Sequence, residues 1–396
     1  MTNVKLPKGF LANGMHCGLK RKRKDLALFY SKAKCKCSAV FTTNVVKAAP
    51  IVLAQEQLEK TSYIHAVLVN SGNANCMTGE RGLKDAKEMV AKAAKALGVP
   101  GDAVLVSSTG VIGKPMNLEP IEKALPVLVR GLSRDGLLSA SEGIMTTDRF
   151  HKISSRSFEV GGKEINMVGV AKGAGMIRPN MATMLCYVLT DANVSHKAMA
   201  KAMRKANEVS FNSITVDGDM STNDTFMLIA NGKAGNKLVE ETGKPFRDFL
   251  KNLKEITLEL AKMIVRDGEG ATKLIKVEVK GSRSKHEAKK AASSVANSLL
   301  VKCAVHGGDP NWGRIAASVG YSGIKFDPAL MEIAMDGVVF FKKGKYAAPS
   351  EKERTGVFKG EEVLIEVKLH QGNASSAVYA CDISKRYIAI NSFYTT

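Results

Sequence analysis

The chain has 396 residues, 45% of them hydrophobic, and a formal net charge of +20 at pH 7. That length suits two or three domains, or one large core with a smaller one attached, and no apolar run approaches the roughly 18 residues of a membrane-crossing helix. The charge admits nucleic acid but equally attracts small carboxylate substrates. No zinc-finger or aromatic RNA-binding pattern favours nucleic acid.

The opening MTNVKLPKGF lacks an apolar h-region, so no secretory signal is expected. The basic run KRKRK at 20–24 reads as a solvated loop. Seven cysteines at scattered spacings do not make a disulfide framework and fit a reducing cytoplasm. Cys35 and Cys37 have no second pair beside them in the sequence, so no metal site is expected.

Strand and helix patterns then alternate, which argues for an α/β class. AVLVNSG (66–72) is a short apolar run closed by a turn signal and predicts a buried strand. Leu83, Ala86, Met89, Val90, Ala93 and Leu97 recur at helical spacing and predict a helix over 83–97, stopped by Gly98 and Pro100. A second buried strand at 103–106 runs into SSTGVIG (107–113). A helix follows near 119–131, with Pro126 inside it against the usual rule. TMLCYVLT (183–190) predicts a strand, and Ser195 caps a helix running to about 208. A longer amphipathic helix covers 248–265. KGSRSKHEAKK (280–290) reads as a polar link into a C-terminal α+β subdomain at about 283–396, with strands near 330–340, 362–369, 376–381 and 386–391.

The candidate chemistry centres on AKGAGMIRPNMATML (171–185). A threonine hydroxyl is a weak nucleophile without a base. At the start of a chain its own α-amine, which titrates near pH 8, supplies one. Thr183 reaches that position only if the peptide bond after Ala182 breaks. Gly173 and Gly175 permit unusual backbone angles, Pro179 stiffens the approach, and small Ala182 leaves the carbonyl open. On spacing alone an ordinary threonine at the start of a strand is the better reading. SSTGVIG could supply an oxyanion hole through the Thr109 hydroxyl and the backbone at Gly110, or be a plain turn. Lys172 and Glu269, each beside a glycine turn, could hold a carboxylate and an amine, though by themselves they read more simply as surface charges. VDGDMSTNDT (216–225) lacks the spacing of an EF-hand loop. HGGDPNWGR (306–314) reads as a structured turn.

Taken together, KGAGMIRPNMATML, SSTGVIG, MTTD (145–148), VDGDMSTNDT, RDGEGATK (266–273), DPNWGRI and the terminal YIAINSFYTT resemble, in order, the arginine-biosynthesis glutamate N-acetyltransferases, or ornithine acetyltransferases. The resemblance implies the layered α/β sandwich of that family and its self-cleaving aminopeptidase relatives. It implies cleavage between Ala182 and Thr183 into segments 1–182 and 183–396, which assemble as an α2β2 heterotetramer. Thr183 would be the nucleophile that carries the acetyl group, with Thr109 and Gly110 as the oxyanion hole. Thr146, Lys172, Thr183, Glu269, Asn391 and Thr396 would bind substrate. The activity implied is acetyl transfer from N2-acetylornithine to glutamate, without metal or cofactor. Some members also take acetyl-CoA as a donor substrate, and no residue of this chain decides that point. The alternative reading is a self-cleaving amidase or aminopeptidase on the same fold, in which water replaces glutamate. A cytoplasmic enzyme with small-molecule partners, and neither nucleic acid nor membrane, is expected.

Overall fold

The computed structural model describes residues 4–61, 63–178 and 184–393. Its first sheet is built from β1 (Phe10–Met15), β2 (Leu26–Phe41), β3 (Ile64–Asn73), β4 (Val104–Val111), β5 (Lys152–Val160), β6 (Lys163–Lys172), β7 (Leu185–Thr190) and β9 (Thr225–Ala230), with β8 (Ile214–Thr215) contributed elsewhere. The order is β4-β3-β2-β9-β7-β6-β5, with β1 also paired to β2. β2 is the hinge of this arrangement. Its first half pairs with β1 and β3, its register shifts between Tyr30 and Cys35, and its second half pairs with β9.

The strands carry apolar residues on both faces, the pattern of a sheet buried on both sides. In β3, Val67 and Val69 enter a central core while Ala66 and Leu68 enter an outer one. In β7, Leu185, Tyr187 and Leu189 face the same central core and Cys186 and Val188 face a third. The two halves of the sheet therefore stack on each other through the central core. Helices Ala49–Lys60, Gly79–Leu97 and Glu119–Arg130 close the outer face of β2–β4. Helices His196–Val209 and Gly243–Arg266 close the outer face of β6, β7 and β9. Four layers result: helix, sheet, sheet, helix. The layered α/β sandwich expected from the sequence is the observed architecture.

The second sheet comprises β10 (Leu274–Ser282), β11 (Glu332–Met335), β12 (Val338–Lys342), β13 (Lys345–Tyr346), β14 (Glu362–Lys368) and β15 (Ala374–Cys381), in the order β13-β12-β11-β14-β10-β15-β8. It has its own core with helices Lys285–Asn297 and Trp312–Gly320. β8, which comes far earlier in the chain, pairs in parallel with β15 at Tyr379 and Ala380 and stitches the two units together.

Two local expectations change, and a third holds. Residues 280–290 are not a link: they finish β10 and begin a helix whose cap, Ser284, accepts from Glu287 N. The stretch 386–391 is not a strand but part of the helix Lys385–Phe393. Its short apolar run Tyr387, Ile388, Ala389 and Ile390 imitates a strand, yet β15, the strand before it, already has β10 and β8 as neighbours. Pro126 stays inside its helix; it faces solvent, where the carbonyl it leaves unpaired need not be buried.

Candidate active site

A cavity of about 240 Å³ lies where β4 and β6 end, and Thr109, Gly110, Thr146, Lys172, Glu269 and Asn391 all line it. Six of the positions named from the sequence thus converge from five separate stretches of chain. Ala182, Thr183 and Thr396 lie outside the described residues.

Thr109 and Gly110 are not in a turn, as SSTGVIG suggested. They extend β4, paired with Ser71 and Gly72 of β3. Gly110 has φ +135°, and a Cβ there would meet the Gly72 carbonyl carbon at 2.3 Å and Asn73 N at 2.5 Å. Only glycine lets the two strands approach so closely with this backbone. Asn223 fastens the same edge by donating from Nδ2 to Ala74 O (2.7 Å) and Ser108 O (2.8 Å).

Lys172 is the last residue of β6 and is buried. Its Nζ donates to Thr109 Oγ1 at 3.4 Å. Burial pushes its ammonium below the ordinary lysine value, against the pull of the Asp148 carboxylate. A partly desolvated cation at the mouth of a cavity is suited to a ligand carboxylate.

Asp148, from MTTD, organises this end of the site. Its Oδ1 accepts from Lys152 Nζ (2.6 Å) and Gly173 N (2.7 Å), and its Oδ2 from Thr146 N (2.9 Å). Burial would raise its carboxyl pKa, but Lys152 and Lys172 hold it well below the usual carboxylate range. Lys152 also reaches Asp267 Oδ2 at 2.5 Å, and Arg149 Nε reaches Asp267 Oδ1 at 2.9 Å. This buried ion cluster joins MTTD to RDGEGATK.

Glu269 follows from that connection. Its N–H donates to Ala174 O (2.9 Å), and its Oε2 accepts from Asn391 Nδ2 (2.9 Å). Its carboxylate packs on Gly175, where a Cβ would lie 2.5 Å from Oε2. Gly173 has φ +147°; Gly175 is a glycine because of close approach.

The segment that leads to Ala182 is held from below. Asp217 Oδ2 accepts from Met176 N at 2.6 Å and Oδ1 from Ile177 N at 2.9 Å. Burial pushes the Asp217 carboxyl up to about 6, although these N–H groups oppose it. At Met184, the N–H donates to Asp224 Oδ1 at 2.9 Å. Leu185 then pairs opposite Lys172.

Sequence reasoning missed Asp148, Lys152, Asp217, Asp267 and Tyr387 as individual contributors. Four of them sit in or beside MTTD, VDGDMSTNDT and RDGEGATK, so the signal was the acidic residue inside each motif. The basic run at 20–24 is a largely exposed loop, as expected, but two of its side chains reach inward: Lys20 Nζ donates to Met145 O (2.8 Å), and Arg23 Nη1 to Asp148 O (3.2 Å). The run braces the MTTD segment. Buried Asp25 shapes it by accepting from Cys17 N, Gly18 N and Lys20 N. Among the described residues, no group of three or more His, Cys, Asp or Glu side chains is placed to hold a metal ion, and no helix is long and apolar enough to cross a membrane.

Four layers, a glycine-pinched strand beside a hydroxyl, and one cavity lined by a buried lysine and a glutamate define a layered α/β protein with a site of mixed charge. The model of the ArgJ family matches residues 11–396, and the chain belongs to that family. It is 46% identical to the arginine biosynthesis bifunctional protein ArgJ of Caldanaerobacter subterraneus subsp. tengcongensis over 99% of this chain and 98% of the relative. It is 47% identical to the protein of that name in Geobacter sulfurreducens, over 98% of this chain and 99% of the relative. Among solved structures, a chain of the arginine biosynthesis bifunctional protein of Bacillus halodurans is 40% identical, with a TM-score of 0.51. It covers 52% of this chain and is itself covered over 98%.

Proposed function

We propose that this chain is a glutamate N-acetyltransferase of arginine biosynthesis. It moves the acetyl group of N2-acetylornithine to glutamate through an acyl-enzyme on Thr183. The observation that carries the reading is the convergence of Thr109, Gly110, Thr146, Lys172, Glu269 and Asn391 on one cavity, in a chain alike over its whole length to bifunctional arginine-biosynthesis proteins.

The chemistry follows from the cavity. Lys172 holds the ligand's α-carboxylate, and Glu269 with Asn391 faces the α-nitrogen, an amide in N2-acetylornithine and an amine in glutamate. Thr183, freed by cleavage after Ala182, attacks the acetyl carbonyl while its own α-amine takes the proton. Thr109 Oγ1 and the backbone at Gly110 receive the developing oxyanion, a contribution of about 3 kcal/mol per donor. Ornithine leaves, glutamate takes its place, and the glutamate amine accepts the acetyl group. One amide replaces another, so no energy-rich donor is required. The relatives' bifunctional name supports a second activity, in which acetyl-CoA replaces N-acetylornithine as donor. It enters as a substrate, and the reaction needs no cofactor.

Cleavage would give segments of 182 residues and, of 396 in all, 214, which reassemble as an α2β2 heterotetramer. The Bacillus halodurans chain, matched almost completely yet spanning 52% of this one, fits one segment of a divided precursor.

The test is an assay of purified protein with N-acetylornithine and glutamate. Stoichiometric N-acetylglutamate and ornithine are expected. Release of acetate with little N-acetylglutamate would instead make the protein an amidase.

A further inference from the structure

The proposed reaction sets a physical problem. N2-acetylornithine and glutamate share an α-carboxylate, but the α-nitrogen is an amide in the first and an ammonium in the second, and the ornithine side chain ends in a cation where the glutamate side chain ends in an anion. One cavity must take both in turn.

The lining of the cavity carries the groups to do so. Asp217 and Asp219 line the cavity together with Tyr387 from the last helix. Asp217 is half-buried and fixed by the N–H groups of Met176 and Ile177. The charged and titratable groups around it are Asp219 on its own loop, Tyr387 and Glu269 across the cavity, Cys381 at the end of β15, and exposed Arg178 on the loop behind. Three carboxyl groups and one hydroxyl therefore share a small space, with Lys172 lining the same cavity and Arg178 exposed.

We infer that Asp217 is the residue that reads the far end of the ligand, ionised when it faces the ornithine ammonium and protonated when it faces the glutamate side-chain carboxylate. Tyr387 supplies a neutral hydroxyl that donates to the glutamate side-chain carboxylate. The inference rests on the function proposed above. It is consistent with a carboxyl pushed by burial up to about 6, near enough to neutrality for a ligand's charge to shift it either way. An approaching ammonium lowers that value and releases a proton; an approaching carboxylate raises it and takes one up.

The test uses wild-type enzyme, L-ornithine and L-glutamate, each without an acetyl donor, so that binding is measured without turnover. Titration calorimetry in buffers of different ionisation enthalpy reads the proton exchange. Near pH 6.5, ornithine should release protons and glutamate should take them up. The ratio of the glutamate Kd to the ornithine Kd should rise by up to about tenfold per pH unit above pH 6, the shared α-groups cancelling. In Asp217→Asn that ratio should become independent of pH. Should Asp217→Asn not fold, Tyr387→Phe, in a helix with no buried residue, should weaken glutamate roughly tenfold while ornithine changes less. Proton exchange of the same sign for both ligands, or a ratio flat with pH in the wild type, overturns the inference. Absence of acetyl transfer from N-acetylornithine to glutamate by the wild type overturns the function reading itself, and is a different result.

Discussion

Asn391 donates from Nδ2 to Oε2 of Glu269 at 2.9 Å, and this bond ties the final helix to the wall of the cavity. The two residues are far apart in sequence, and no residue of that helix is buried. The helix is held by what it touches at the site and not by a core of its own.

Asn391→Ala should therefore cost function and spare the fold. A hydrogen bond to a charged group is worth about 1.5–3 kcal/mol, so kcat/KM for N-acetylornithine should fall roughly ten- to hundredfold. The thermal midpoint should stay within about 1 °C, because no buried surface is lost. A matching fall in midpoint would mean that the helix is part of the folding core.

Thr109 and Gly110 should separate chemistry from packing. Thr109→Val removes a hydroxyl at constant volume, and kcat should drop about 10²–10³-fold with stability nearly unchanged. Gly110→Ala places a Cβ 2.3 Å from the Gly72 carbonyl carbon and should lower the denaturation midpoint as well as activity. Circular dichroism melts beside steady-state kinetics give both readouts.

Asp148→Asn should strike stability. It leaves buried Lys152 with Asp267 alone, and breaking a buried ion pair costs about 3–5 kcal/mol. The pH dependence has a definite sign. Asp148 is held below its unfolded value, so its contribution is fully present above about pH 4 and is lost as pH falls through the folded value. Denaturant midpoints from pH 7 to pH 3 should fall for the wild type, and less steeply for Asp148→Asn.

Intact mass tests the nucleophile. Wild type should give two fragments divided between Ala182 and Thr183, and Thr183→Ala one uncut chain. An active wild type that remains whole would exclude Thr183 as an N-terminal nucleophile.

Much of the scaffold was legible in the sequence, because burial of an element's faces prints a period on the residues. The apolar run from Ala66 to Val69, buried on both faces, and the helical spacing from Leu83 to Leu97 each follow from where one element meets its neighbours. Where the pattern is imitated without a neighbour, the reading fails: Tyr387 to Ile390 make a short apolar run like a strand's and form a helix. The site was legible as motifs and not as interactions. Lys172 and Glu269 looked like surface charges beside turns until the fold buried one beside Asp148 and set the other against Asn391. The sequence alone determined the elements, the order of the motifs and the family they resemble. Tertiary structure alone decided which charges lose their water, and with it Lys152 between Asp148 and Asp267, the bracing role of Lys20 and Arg23, and the raised Asp217. Desolvation depends on what covers a group, and here the covering chain comes from distant positions that no local period records.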